Sequence, residues 1–306
     1  MFFGGVEMGG TRVVCGVGTN PADLRDCTVI DTADPDVTIA RVVAHLRRHE
    51  ADLAAVGVAS FGPLELDRAS VRYGHIGSTP KPGWAGSDLV GPLASAFGVP
   101  IGLDTDVNGS ALAEWRWGSA QGLDTFVYVT AGTGVGGGGL TRGRPMHGLL
   151  HPEMGHMRIP RHPDDPLERG ACPFHPDCWE GWAAKGAIER RWGAGRLATD
   201  LVAASELGLL AHYLAAGVAN VICTISPQRV ILGGGIVLGG GNAAHRERLL
   251  GLVRREAVAL LGGYLQAPEL GELIEQFIVA PALAGDAGVL GGIALAERAA
   301  AQGRPT

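Results

Sequence analysis

The placement of glycine limits what this chain can fold into more than any other feature of its sequence. Twenty of its 49 glycines fall in four short clusters, at 4–10, 132–139, 233–241 and 285–292, and each cluster adjoins a predicted strand end. Glycine reaches more than twice its average usage of ~7%. There is no G-X-Y period, and 46% hydrophobic against 18% charged residues suffices for a large core, so collagen and disorder are excluded. The glycines are therefore local devices. Without a Cβ, backbone turns tightly and brings its N–H groups against a phosphate.

The order of predicted elements shows a repeat. FFGGVE and RVVCGVG read as strands around the turn MGGT, CTVIDT as a third strand, 36–49 as a helix and AAVGVAS as a buried strand. Segment 61–99 is rich in turn residues with a helix near 87–97, and the strand PIGLDTD runs into a helix from Asn108. The second half opens the same way, with TFVYVTA and GGGLTRG around GTGVGG. Helices near 182–193, 199–224 and 243–263 follow, with strands RVILGG and QFIVAPAL between or after them and a last helix at 287–301. The expectation is a duplicated α/β architecture of two domains, 1–118 and 119–306, with a cleft between them and the last helix packing back on the first.

Gly132-x-Gly134-x-x-Gly137 matches the dinucleotide fingerprint formally, but that motif needs a helix next and a strand is predicted. No GKS or GKT exists for a Walker A loop. Glycine-rich hairpin turns that hold phosphate are the device of the sugar-kinase, actin and Hsp70 class. Asp104-Thr105-Asp106 lies at the carboxyl end of a strand, where α/β sheets hold ligands. Asp106 is the candidate base for a hydroxyl attacking a phosphoryl group, with Asn108 shaping the turn. An Asp at such a junction also serves as a helix cap.

Cys172, His175 and Cys178 follow C-x2-H-x2-C spacing, and with His156 upstream they make a donor set for tetrahedral, structural Zn²⁺. His147, His151 and His162 are spare candidates expected to be solvated. Cys15, Cys27 and Cys223 lie in apolar stretches and read as small core residues. A net charge of −6 leaves no footprint for nucleic acid. The N-terminus has no signal-peptide pattern. The uncharged run 207–227 is broken by His212, Tyr213, Gly217, Asn220 and Thr224 and reads as a core helix, so no membrane partner and a cytoplasmic location are expected.

EMGGT, LDTDVNGSALAEW, AGTGVGGG, HPEMGH, CPFHPDCWEG and VILGGG, in this order, resemble the ROK family (repressor, open reading frame, kinase) of sugar kinases. STPKPGW, DTDVN and CPFHPDC are similar to its fructokinase branch; the knuckle of the glucokinases usually carries three Cys and one His. The resemblance implies two duplicated ribonuclease H-like (actin/hexokinase-like ATPase) domains, ATP with catalytic Mg²⁺, structural Zn²⁺, a small-molecule sugar substrate and a homodimer. It implies Asp106 as the base and Thr105, Asp106, Glu153, His156 and Glu180 around the sugar, with His156 also a zinc ligand. Gly9, Gly10, Thr11 and Arg12 match the first phosphate loop, Gly132, Thr133 and Gly134 the second, and Gly233, Gly234 and Gly235 the segment near the adenosine.

Four positions depart from the family pattern. Arg12 replaces a usual Lys, and Thr105 replaces the Asn common in the glucokinases. Lys185-Gly186-Ala187-Ile188 replaces SGPAI, which brings Lys185 toward the nucleotide or leaves it a solvated helix start. Glu7 stands where the wider superfamily often has Asp. A kinase of glucose, mannose or an amino sugar is the alternative within the family. The family's repressors carry a helix-turn-helix ahead of the first strand, which here is expected from residue 2.

Overall fold

A computed structural model describes residues 2–201 and 203–302. The chain runs β1 (Phe2–Met8), β2 (Arg12–Gly18), β3 (Arg25–Asp31), α1 (Pro35–Leu46), β4 (Leu53–Ser60), α2 (Gly91–Phe97), β5 (Ile101–Thr105) and α3 (Asp106–Trp117). It continues through β6 (Phe126–Ala131), β7 (Val135–Thr141), β8 (Arg144–Pro145), α4 (Trp179–Ala183), α5 (Lys185–Trp192), α6 (Ala204–Ile225) and β9 (Val230–Gly233). Last come α7 (Gly235–Leu238), α8 (Ala243–Leu261), α9 (Ile274–Phe277), β10 (Ile278–Val279) and α10 (Ala287–Gln302).

Two five-stranded mixed sheets organise these elements, in the orders β3-β2-β1-β4-β5 and β10-β9-β6-β7-β8. In the first, β1 pairs antiparallel with β2 and parallel with β4, and β4 is parallel to β5. In the second, β6 pairs antiparallel with β7 and parallel with β9, and β9 is parallel to β10. Read from its other edge, the second order repeats the first strand for strand. The chain divides into two compact units: Met1–Gly122 with Pro145–Pro152 and Gly285–Thr306, and Leu123–Arg144 with Glu153–Ala284.

In the first unit the two faces of the sheet are built from different residues. Val6, Met8, Val56, Val58 and Leu103 point to a core shared with Ile39, Val42 and Leu46 of α1 and with Ile76, Trp84, Leu89 and Leu93 from the turn-rich segment. The opposite face carries Gly5, Gly57 and Gly102 in one register row across β1, β4 and β5. A Cβ on these would lie 2.8 Å from Ile293 Cγ1, 2.5 Å from the Ala296 nitrogen and 2.7 Å from the Leu295 carbonyl carbon. The glycine row thus lets α10 lie directly on the strands. Gly291 of α10 meets Gly109 of α3 in the same way. Gly288, Gly291 and Gly292 of the fourth cluster serve close packing of α10, as do part of the first cluster and several glycines outside all four.

In the second unit α6 passes the length and hydropathy test for a membrane span, yet 61% of its most apolar window is buried within the fold. Gly217 on α6 seats the Trp179 ring, which a Cβ would approach to 2.5 Å at Cζ2. The expected strand QFIVAPAL shrinks to Ile278–Val279, because residues 274–277 turn helical and Pro281 offers no N–H for a ladder. The helix expected near 87 begins at Gly91; Asp88 Oδ1 accepts the Val90 and Gly91 N–H groups, both at 2.9 Å. Cys15 is in the core as expected, but Cys27 and Cys223 are exposed. Cys27 sits on the edge strand β3 and Cys223 on the outer side of α6, so an apolar neighbourhood in sequence did not mean burial.

Candidate active site

In the first unit the β1–β2 hairpin closes through a hydrogen bond from Gly9 N–H to the Arg12 carbonyl at 3.0 Å. The end of β3 braces the turn: Thr32 Oγ1 donates to the Gly9 carbonyl at 2.8 Å, and Thr32 N–H donates to the Thr11 carbonyl at 3.1 Å. Gly10, Thr11 and Arg12 are exposed. Glu7 lies behind the turn against α10, where a Cβ on Gly288 would stand 2.5 Å from its Cγ. Burial raises the Glu7 carboxyl above the ordinary range; the Arg12 charge works against this and the Asp286 charge adds to it.

β5 ends in a polar junction. Thr105 is the N-cap of α3, its Oγ1 accepting the Asn108 N–H at 3.2 Å. Asp106 is the first residue of α3, half-buried, and its Oδ1 accepts the Val107 N–H at 2.9 Å. The α3 N-terminus is a position that favours negative charge. Asp104, 3% exposed, accepts on Oδ1 from Thr105 N–H at 2.8 Å and from Asn108 Nδ2 at 2.9 Å. His147 Nε2 stands 3.0 Å from both oxygens of this carboxylate. The hydrogen bond to Asp104 raises the His147 pKa, outweighing partial burial and the charge of Arg298.

The three spare histidines therefore are not simply solvated. His147 pairs with Asp104. His151 is buried and its Nε2 accepts the Leu64 N–H at 2.9 Å. His162 Nδ1 accepts the Asp164 N–H at 3.1 Å, and its ring packs on His212. Spacing could not show the Asp104–His147 pair, since 43 residues separate its members.

In the second unit the β6–β7 turn carries Gly132, Thr133 and Gly134. The Lys185 backbone N–H at the start of α5 donates to the Gly132 carbonyl at 2.9 Å, while the Lys185 ammonium lies 3.6 Å from Glu189. Glu180, in the first turn of α4, accepts the Val135 N–H at 3.1 Å, and its Oε2 would be 2.5 Å from a Cβ on Gly134. Gly234, with φ near +88°, crosses so close to Ala131 that a Cβ would lie 2.7 Å from that carbonyl carbon. The loops at 132–134 and 233–235 and the acid Glu180 are thus neighbours within one unit.

Glu153 is exposed at the start of the short 3-10 turn Met154–His156. Gly155 packs this turn on β7, since a Cβ there would lie 2.8 Å from the Val135 carbonyl carbon. His156 Nδ1 faces Cys172 Sγ at 3.9 Å and Cys178 Sγ at 3.7 Å, and His175 Nδ1 lies 3.8 Å from Cys172 Sγ. All four donor atoms fall within 4.8 Å of one another. Burial raises the Cys178 thiol to about 11, and the neighbouring Cys172 thiol adds to this. Behind this loop an Asp165–Arg191 ion pair is closed from solvent, and Tyr213 Oη donates to Asp165 Oδ2 at 2.6 Å. Burial alone would raise the Asp165 pKa, but hydrogen bonds from Arg191 and Tyr213 prevail and hold it below the ordinary range.

A family described as the ROK family matches residues 3–299. The fructokinase of Zymomonas mobilis is 40% identical over 301 residues, covering 96% of this chain and 96% of its own. That of Streptococcus mutans is 37% identical over 305 residues, covering 98% and 99%. A ROK hexokinase structure from Thermus thermophilus superposes with a TM-score of 0.74 at 27% identity, covering 99% of this chain and all of the other.

Proposed function

This chain belongs to the ROK family, and we propose that it is an ATP-dependent hexose kinase that converts D-fructose to fructose 6-phosphate. The observation that carries this reading is Asp106 at the β5–α3 junction, on the sheet whose first hairpin presents an exposed, glycine-lined turn. A sugar hydroxyl attacks the γ-phosphorus, its proton passes to Asp106, the bond to the bridging oxygen breaks and ADP leaves. Mg²⁺, when bound with ATP, neutralises charge on the phosphates.

Gly9, Gly10, Thr11, Arg12, Gly132, Thr133, Gly134, Lys185, Gly233, Gly234 and Gly235 form the ATP-binding set. The Lys185 backbone braces the Gly132 loop, and its ammonium is available to phosphate on release from Glu189. Thr105, Asp106, Glu153, His156 and Glu180 form the sugar set. Thr105 in place of the glucokinases' Asn favours fructose over glucose.

His156, Cys172, His175 and Cys178 fit a structural Zn²⁺ by donor chemistry and mutual distance. Burial raises the Cys178 thiol to about 11, so a cation beside it favours its ionised, ligating form. Because His156 presents Nδ1 to the cysteines, its Nε2 faces away from them and is the atom left for a sugar hydroxyl. Zinc at this position holds the His156 loop in place. A homodimer in the cytoplasm, with no nucleic-acid or membrane partner, completes the reading.

The test is ADP release by the purified chain across a panel of hexoses. Fructose is expected to give the highest kcat/KM. A glucose or mannose preference would change the substrate, and no hexose-dependent ADP release would overturn the kinase reading.

A further inference from the structure

The Asp104–His147 pair belongs to neither ligand set, yet it adjoins the proposed base. Asp104 precedes Asp106 by two residues and points to the side of the sheet covered by α10 and α3, as Gly102 does. Its side chain is 4% exposed, while that of His147 is 42% exposed. A carboxylate this enclosed needs donors or a countercharge to remain ionised. It takes the Thr105 N–H, the Asn108 amide and the His147 imidazole together.

Each of these donors bears on the position of Asp106. Thr105 and Asn108 flank Asp106 in the first turn of α3. His147 comes from the segment Pro145–Pro152, which belongs to the first unit although residues of the second flank it in sequence. His151, four residues on, fastens the same segment by accepting the Leu64 N–H. The strap is therefore tied down at two points, and one of them is the carboxylate behind the proposed base.

We propose that His147 is a positioning residue for phosphoryl transfer: it holds the Asp104 carboxylate, which through the Thr105 N–H and Asn108 fixes the β5–α3 junction and so aims Asp106. The inference rests on Asp106 as the base. The groups facing the pair are Asn108 from α3, Arg298 from α10 and Tyr73 from the turn-rich segment; the charge of Arg298 disfavours the imidazolium and that of Asp104 favours it. The balance lies with Asp104, so the charge is present at low pH and is lost as pH rises through the raised pKa of His147.

The experiment compares wild type with His147→Gln, His147→Ala and Asp104→Asn in the full chain. It reads kcat and KM against pH, and amide exchange at residues 105–108. In wild type, kcat is expected to fall on the alkaline side as His147 deprotonates, with KM for sugar and ATP little changed. His147→Ala should lose about 10–100-fold in kcat, the scale of a displaced catalytic group. It should also lose that alkaline limb and exchange faster at 105–108. His147→Gln, which keeps a donor, should recover part of kcat without an alkaline limb, and Asp104→Asn should move the limb to lower pH.

Unchanged amide exchange in His147→Ala overturns the inference, whether or not the enzyme turns over. So does an unchanged kcat profile, even where the variant melts earlier. Wild-type protein without hexose-dependent ADP release, or an Asp106→Asn variant with full turnover, overturns the kinase reading instead.

Discussion

Replacing Gly291 by alanine should loosen the first unit and displace α3, the helix that carries the proposed base, in one step. A Cβ there would lie 2.5 Å from the Gly109 carbonyl oxygen and 2.9 Å from Gly109 Cα, whereas ordinary contact begins near 3.4 Å. Both partners are backbone, so no side-chain rotation relieves the clash, and α10 or α3 must shift by something approaching 1 Å. Overpacking of this kind costs about 1–3 kcal/mol. At about 2–4 °C per kcal/mol for a domain of this size, the melting midpoint should fall by roughly 2–12 °C. Asp106, the proposed base, begins the helix three residues before Gly109, and a displacement near 1 Å at such a group costs up to about 100-fold in rate.

Thermal melting with steady-state kinetics on the same preparation reads both effects. Gly208→Ala is the control of opposite sign. It lies inside α6 with no neighbouring group within 4 Å of the added methyl, so it should stabilise by about 0.5–1 kcal/mol. A Gly291→Ala protein with wild-type midpoint and wild-type kcat would falsify the glycine-packing argument.

Asp106→Asn should lower kcat by about 10²–10⁴-fold with sugar binding retained, as measured by turnover and by direct titration of the sugar. Cys178→Ser should abolish zinc retention on metal analysis and lower the melting midpoint; a metal-free wild-type protein that is fully active and equally stable would remove the metal from the account. Asp165→Asn leaves the enclosed Arg191 guanidinium without its countercharge and should cost about 3–5 kcal/mol in denaturant unfolding. A loss below ~1 kcal/mol, the level of an exposed pair, would show that water reaches Arg191.

Much of the architecture was legible because its signals are local. Short, largely apolar runs marked β1, β4 and β6, and glycine-rich turns marked the hairpins. The four donors named from spacing at 156, 172, 175 and 178 do come together in space. Burial and strand length, by contrast, depend on what lies across a gap. Cys27 and Cys223 share apolar sequence surroundings with Cys15, but only Cys15 lies on a central strand with both faces covered. QFIVAPAL looked like a full strand, although its ladder ends ahead of Pro281.

By itself the sequence determined where the backbone turns, which residues can ligate metal and which carboxylate ends a strand, because turn chemistry, donor spacing and strand–helix junctions are written within a few neighbouring residues. Which glycines line an exposed hairpin turn and which let one backbone lie on another became visible only in the tertiary structure. Gly5, Gly57 and Gly102 are far apart along the chain and become a single row only through strand register, and α10 uses that row to reach the sheet. The same register places Asp104 on the face where His147 arrives from a distant strap. Close packing and buried ion pairs are properties of surfaces that meet, and no stretch of the chain contains both sides of such a contact.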